Sequence, residues 1–220
     1  MKFSNVLLLV AISALLIAAA GCDQQSPVVP AQESTAAPGA RPKKTYQDLV
    51  VGYAQIGAES EWRTANTISV KEAAAQLGVE LKFVDGQQKQ ENQIQAIRSF
   101  IAQKVDVIGV PPVVETGWDE VFKEAKDAGI PIILVDRRAA VSGDLYVTYM
   151  GSDFVEEGRN AARVMAKLMD GKANIVELVG TIGSAPANDR YQGFREVLRD
   201  YPNMKIIDSQ SGDFTRAKGK

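Results

Sequence analysis

Histidine is absent from the 220 residues, and cysteine occurs once, at Cys22. Without histidine there is no Ser-His-Asp or Cys-His triad, and the usual His and Cys zinc sites are excluded. A single thiol makes no disulfide within the chain. Charge of one sign is also lacking. Lys and Arg number 25 against 27 Asp and Glu, so the net charge of -2 gives no electrostatic case for nucleic acid or an acidic membrane surface. No G-x-G-x-x-G follows the first apolar run of the folded part, and there is no Walker loop or nucleophile elbow. The reading therefore carries no metal and no cofactor. The enzymatic reading left open is an acid and base pair of carboxylates, Glu59 and Glu61, of the kind glycosidases use.

The N-terminus is informative. Met1-Lys2 precedes a nearly unbroken apolar run, Val6 to Ala20, which is followed by Gly21-Cys22. A charged start, an apolar stretch too short for a comfortable membrane span, and small residues at its end make an export signal. A plain signal peptide needs nothing further, and the cysteine would then be incidental. Ala19-Ala20-Gly21-Cys22 resembles the bacterial lipobox, in which the cysteine is acylated and becomes the mature N-terminus. Asp23 resembles a signal to remain on the inner membrane. Residues 23–44, rich in Pro, Ala, Ser and Gln, bury too little to fold. As a flexible tether they would reach about 25 Å.

From Leu49 onward the pattern becomes regular. Apolar runs predict strands at Leu49–Ala54, Val79–Val84, Val105–Val110 and Ile132–Val135. Helical spacing is expected over Trp62–Leu77, Gln90–Gln103 and Trp118–Ala128. Gly78 and Gly129 stop two of these helices. Ile94, Ile97 and Ile101 are expected to form the inner face of the second, and Val121, Phe122 and Ala125 that of the third. Strands alternating with helices through short turns imply a parallel α/β sheet covered on both faces, and right-handed crossovers make it doubly wound. A short strand at Tyr146–Tyr149 leads into a helix over Phe154–Met169, capped by Ser152 or Asp153. A second alternation follows: strand Asn174–Val179, helix Asp189–Arg199, strand Lys205–Asp208. The closing "TRAKGK" has the composition of a helix start. Two core strands leave this second unit with uncovered apolar faces, so the chain reads as a piece of a longer two-lobe protein with its second lobe truncated.

"IPIILVDRR" poses a chemical question, because a buried strand runs directly into Asp136, Arg137 and Arg138. In open parallel sheets, ligands bind beyond the carboxyl ends of the strands. Asp136 and Arg137 stand there, as do Gly57 to Arg63, Asp85 and Pro111-Pro112. A carboxylate accepts several hydrogen bonds and a guanidinium donates up to five, which suits neighbouring hydroxyls. Trp62 offers a flat apolar face for sugar C–H groups. Taken alone, Asp136-Arg137 reads as a surface ion pair and Trp62 as a packing residue. Their shared position on one sheet edge favours a ligand site.

The stretches "GAESEWR" (57–63), "DGQQKQENQIQAIRSFIAQKVDVI" (85–108), "PVVETGW" (112–118), "EAKDAGIPIILVDR" (124–137), "VELVGTIGS" (176–184), "NDRYQGF" (188–194) and "QSGDFTRAKGK" (210–220) carry a resemblance. The chain resembles the periplasmic sugar-binding proteins of ABC importers, in the ribose-binding-like family. It is most similar to the galactofuranose-binding branch. The resemblance implies a two-lobe periplasmic-binding-protein fold that closes around one monosaccharide and delivers it to an ABC transporter permease. It also implies ligand-binding roles for Glu59, Ser60, Glu61, Trp62 and Arg63 in the first loop, for Asp136 and Arg137, and for Arg190 and Phe214 in the second lobe. Two departures speak against ribose: Glu61-Trp62-Arg63 replaces a pair of aromatics, and Pro111 replaces an asparagine.

The expected organisation is a lipoprotein signal peptide over 1–22, a tether over 23–44, an N-terminal sugar-binding lobe over 45–151 and a partial C-terminal lobe over 152–220. The product would be lipid-anchored through Cys22, in the periplasm or on the outer face of the cytoplasmic membrane. Repressors related to the lactose repressor share the ligand-binding fold, but an apolar export segment stands where their helix-turn-helix would be. A sensor presenting the sugar to a chemoreceptor or histidine kinase is the alternative that the sequence leaves open.

Overall fold

The structure is a computed structural model and describes residues 44–220. The expected export signal, Cys22 and nearly all of the expected tether lie outside the described residues. The first sheet contains β1 (Val50–Gln55), β2 (Glu80–Asp85), β3 (Val107–Val110), β4 (Ile132–Val135) and β5 (Thr148–Met150). All its pairings are parallel, in the order β2-β1-β3-β4-β5. The direction of winding reverses between β1 and β3, so the loops beyond their carboxyl ends flank the crevice where such sheets bind ligands.

Three helices connect these strands: α1 (Glu61–Leu77), α2 (Gln90–Ala102) and α3 (Asp119–Asp127). Ser60 starts α1 by accepting the Arg63 N–H, and Gly78 ends it in the left-handed conformation, at φ 72°. Helices α2 and α3 cover one face of the sheet. Ala54, Ile56, Ile108, Val110, Ile132 and Leu134 meet Ala96, Ile97, Phe100, Val121, Phe122 and Ala125 there, with Trp118 beside them. Each large apolar side chain buried in this way contributes about 1.5–3 kcal/mol.

The inner face of α2 differs from the expected one. It carries Gln93, Ala96, Ile97 and Phe100, while Ile94 and Ile101 sit at the rim. The reason lies in β1. A Cβ at Gly52 would stand 2.6 Å from the Phe100 ring, so a strand position without a side chain admits the ring and sets the helix rotation. The α3 face is as expected.

The chain continues through α4 (Phe154–Leu168), β6 (Lys172–Val179), α5 (Ala185–Leu198) and β7 (Asn203–Ser211). Asp153 caps α4, its carboxylate accepting the Glu156 N–H at 3.0 Å. Helix α5 begins four residues before the expected Asp189, because Pro186 is tolerated in a first turn. Gly158 and Gly193 let α4 and α5 cross closely, since a side chain at either would strike the other helix's backbone. β6 and β7 form a parallel pair with an irregularity at Ile175/Val176. "TRAKGK" forms turns rather than the expected helix, with the Gly219 N–H bonded to the Thr215 carbonyl.

Candidate functional site

A cavity of about 280 Å³ opens at the carboxyl edge of the first sheet, where α4, α5 and the segment around Phe214 approach it. Its walls carry Glu59, Ser60, Trp62 and Arg63 from the turn into α1, Asp136 and Arg137 from the end of β4, Phe154 and Glu157 from α4, Arg190 from α5, and Phe214.

Arg63 is the hub of the first-lobe wall. Its side chain is 2% exposed, and it donates through Nε to Glu59 at 3.1 Å and through Nη2 to Asp136 at 2.8 Å. The helix start places it. The Gln55 side chain, at the end of β1, donates to Asn66 and Thr67 and so fastens the first turns of α1 to the sheet. Asp136 has φ 62°, a left-handed backbone that Asp tolerates better than most residues. Two bonds hold it: its N–H donates to the Met150 carbonyl at 2.7 Å, and its own carbonyl lies 2.9 Å from the Tyr149 hydroxyl.

The sequence suggested that Asp136 and Arg137 act as a neighbouring pair. They stand 3.8 Å apart at their nearest charged atoms, too far for a hydrogen bond, and Asp136 is bonded to Arg63 instead. Arg137 donates to the Val113 carbonyl at 3.1 Å and lies 5.2 Å from the centre of the Phe214 ring. Burial, reinforced by the like charge of Arg63, pulls its guanidinium down to about 10, so it is a full cation at neutral pH. Glu59 Oε2, Arg63 Nη1 and Arg137 Nε have no hydrogen-bond partner among the described residues. Such atoms are costly when buried and favour an occupant or a rearrangement that pairs them.

From the second lobe, Arg190 is bonded to Glu157 at 2.8 Å and lies over the Phe154 ring at 4.5 Å. The cavity therefore has three guanidiniums, of Arg63, Arg137 and Arg190, opposed by three carboxylates, of Glu59, Asp136 and Glu157. This balance suits a neutral ligand with many hydroxyls rather than an anion. Trp62, 57% exposed, Phe154 and Phe214 add aromatic surface.

Eight of the nine residues that the resemblance marks line this cavity. Glu61 does not: it faces outward and pairs with Arg216 at 2.5 Å. Ser152, Phe154, Glu157 and Pro186 line the cavity without having been marked. Phe154 and Glu157 share a face at helical spacing just after the chain leaves the first sheet, and that spacing was the signal available.

The chain matches the periplasmic binding protein domain family over residues 51–220. It is 53% identical over 174 residues to the galactofuranose-binding protein YtfQ of Escherichia coli, covering 78% of this chain and 55% of that protein. The arabinose ABC transporter's binding protein from Shewanella sp. ANA-3, solved with α- and β-L-arabinofuranose, is 54% identical with a TM-score of 0.75, over 77% of this chain and 57% of that one. A Mycobacterium smegmatis structure with β-D-fucofuranose is 55% identical with a TM-score of 0.75, over 78% and 58%. The chain thus spans about half the length of the curated relatives it matches. With most of its folded part matched and more than half of the aligned residues identical to a named member, the chain belongs to the periplasmic binding protein domain family.

Proposed function

We propose that this chain is the sugar-capturing part of an extracytoplasmic solute-binding lipoprotein that takes a furanose, galactofuranose first, and delivers it to an ABC permease. The observation that carries this reading is the cavity itself. Balanced guanidiniums and carboxylates, those of the first lobe largely buried and partly unpaired among the described residues, adjoin aromatic faces, so donors, acceptors and an apolar platform meet in one space. A neutral sugar supplies the matching hydroxyls and C–H faces. Relatives above half identity are named for, or were solved with, furanoses.

In this reading Asp136 and Arg137 hold ring hydroxyls, and Trp62 and Phe214 flank the sugar. Arg63 and Glu59 set the Asp136 carboxylate in place as well as contributing polar atoms. Arg190 and Phe214 bring the second lobe onto the ligand. Residues 1–21 are removed by cleavage before Cys22, which is acylated and becomes the mature N-terminus, residues 23–44 tether the protein, and 45–151 and 152–220 belong to the two lobes. Several acyl chains would hold such a protein firmly at the membrane, as one would not.

Titration calorimetry of the protein with galactofuranose, arabinofuranose, ribose and glucopyranose is the test. The furanoses of the first two sugars are expected to bind more tightly than the others. Tighter binding of glucopyranose or ribose would overturn the ligand assignment. Mass spectrometry of the mature N-terminus tests the anchor, and an unmodified Cys22 would refute it.

A further inference from the structure

Gln93 is fully buried on the inner face of α2 and does not line the cavity. Its amide nevertheless uses all its main bonding capacity on the edge of the sheet that forms the cavity. Nε2 donates to the Ala54 carbonyl at 2.8 Å and to the Pro111 carbonyl at 2.9 Å. Oε1 accepts the Val113 N–H at 3.1 Å. One side chain thus ties β1 to the loop after β3, on either side of the point where the winding reverses.

Further along, that loop is held by the Glu115 N–H on the Gly183 carbonyl and by Trp118 Nε1 on the Val114 carbonyl, but at its start the anchor is Gln93. Pro111 and Pro112 have no N–H, so Val113 is the first residue after β3 with a backbone donor, and Gln93 takes it. The carbonyl of the same residue accepts from Arg137 Nη1, the one hydrogen bond the Arg137 guanidinium makes among the described residues. Gly86 makes the space: a Cβ there would stand 2.8 Å from Gln93 Cγ.

We infer that Gln93 is a positioning residue for Arg137, acting through Val113. It fixes the carbonyl that aims the Arg137 guanidinium across the cavity, and an apolar residue of the same size fills its space without doing so. The effect on sugar affinity rests on the function proposed above. The effect on Arg137 does not.

The test compares Gln93→Met with Ile97→Val, an equally buried change on the same helix face. The readout without sugar is hydrogen exchange of the Arg137 Nη protons, one of which bonds the Val113 carbonyl, identified by their disappearance in Arg137→Lys. Loss of the clamp is expected to speed that exchange about tenfold in Gln93→Met, with Arg63 Nε–H and the melting profile of Ile97→Val as controls. Furanose affinity is expected to fall about tenfold in Gln93→Met and to stay unchanged in Ile97→Val. Should Gln93→Met fail to fold, Gln93→Leu serves in its place. It loses the acceptor for Val113 as well as both donors and is expected to show the same acceleration. Unchanged Arg137 exchange in a folded Gln93 variant, or equal acceleration in Ile97→Val, overturns the inference. If Arg137 exchange responds but no furanose binds even the unsubstituted protein, the ligand proposal fails and the positioning role stands.

Discussion

The two sheets of this chain both carry large apolar residues on their strands, yet they bury them differently. In the first sheet, Ile108 of β3 and Leu134 of β4 are fully buried, because α2 and α3 close over that face. In the second, β6 carries Ile175, Val176 and Leu178 among polar residues, and Val176 is 65% and Leu178 61% exposed while Ile175 is buried. The buried cluster there is Ala166, Ile175 and Met204, with rim contacts from Phe194, Leu198 and Tyr201. Strand composition alone therefore does not produce a core. It needs neighbouring strands on both edges and helices on both faces.

The widest separation is expected from matched truncations. Ile108→Ala should cost about 2–5 kcal/mol, since it opens a cavity under two helices. Val176→Ala, from an equally apolar strand position, should stay within about 0.5 kcal/mol. Urea unfolding followed by circular dichroism measures both, and equal costs would show that β6 is covered in solution.

Hydrogen exchange sharpens the contrast without mutation. Amides of β1, β3 and β4 should exchange at least about 100-fold more slowly than those of β6 and β7, as regions with few buried contacts open more readily. Uniform protection would break the comparison.

The third contrast concerns ligand contacts. Asp136→Ala removes the bonded partner of a buried arginine and places alanine at φ 62°, so sugar affinity should fall about 30-fold or more in calorimetry. Glu196 lies on α5 and bonds Arg159 of α4 at 2.7 Å at the protein surface. Glu196→Ala should leave sugar affinity unchanged and shift the melting temperature little, since exposed ion pairs contribute little.

Smallest are two carboxylates with opposite pH behaviour. Hydrogen bonds from Lys126 and Ser142 hold Asp144, on the loop before β5, down to about 2 from 3.8. Its folded-state pKa is depressed, so its contribution is present above 3.8 and lost as pH falls through about 2. Burial and the nearby Glu115 push Asp189, on α5, upward. There the folded state binds the proton more readily than the unfolded chain, so acidification through the raised value relieves a penalty. Melting curves against pH should show Asp144→Asn losing part of the acid-side fall, and Asp189→Asn losing a slight gain on mild acidification.

The sequence by itself determined the alternation of strands and helices. Apolar runs, Gly78, Gly129 and the capping Asp153 act within a few residues of where they stand, so local physics fixes them. It also placed Glu59, Trp62, Arg63, Asp136 and Arg137 beyond strand ends, because the rule for open parallel sheets needs only strand order. Tertiary structure decided the rest. Which α2 face turns inward depended on a glycine in a different element, Gly52, that leaves room for Phe100. Asp136 chose Arg63, distant in sequence, over adjacent Arg137, because the two arrive at one sheet edge from separate strands while neighbours on a turning backbone diverge. Glu61 and Arg63, two residues apart on a helix, point to different sides, so one meets solvent and the other the cavity.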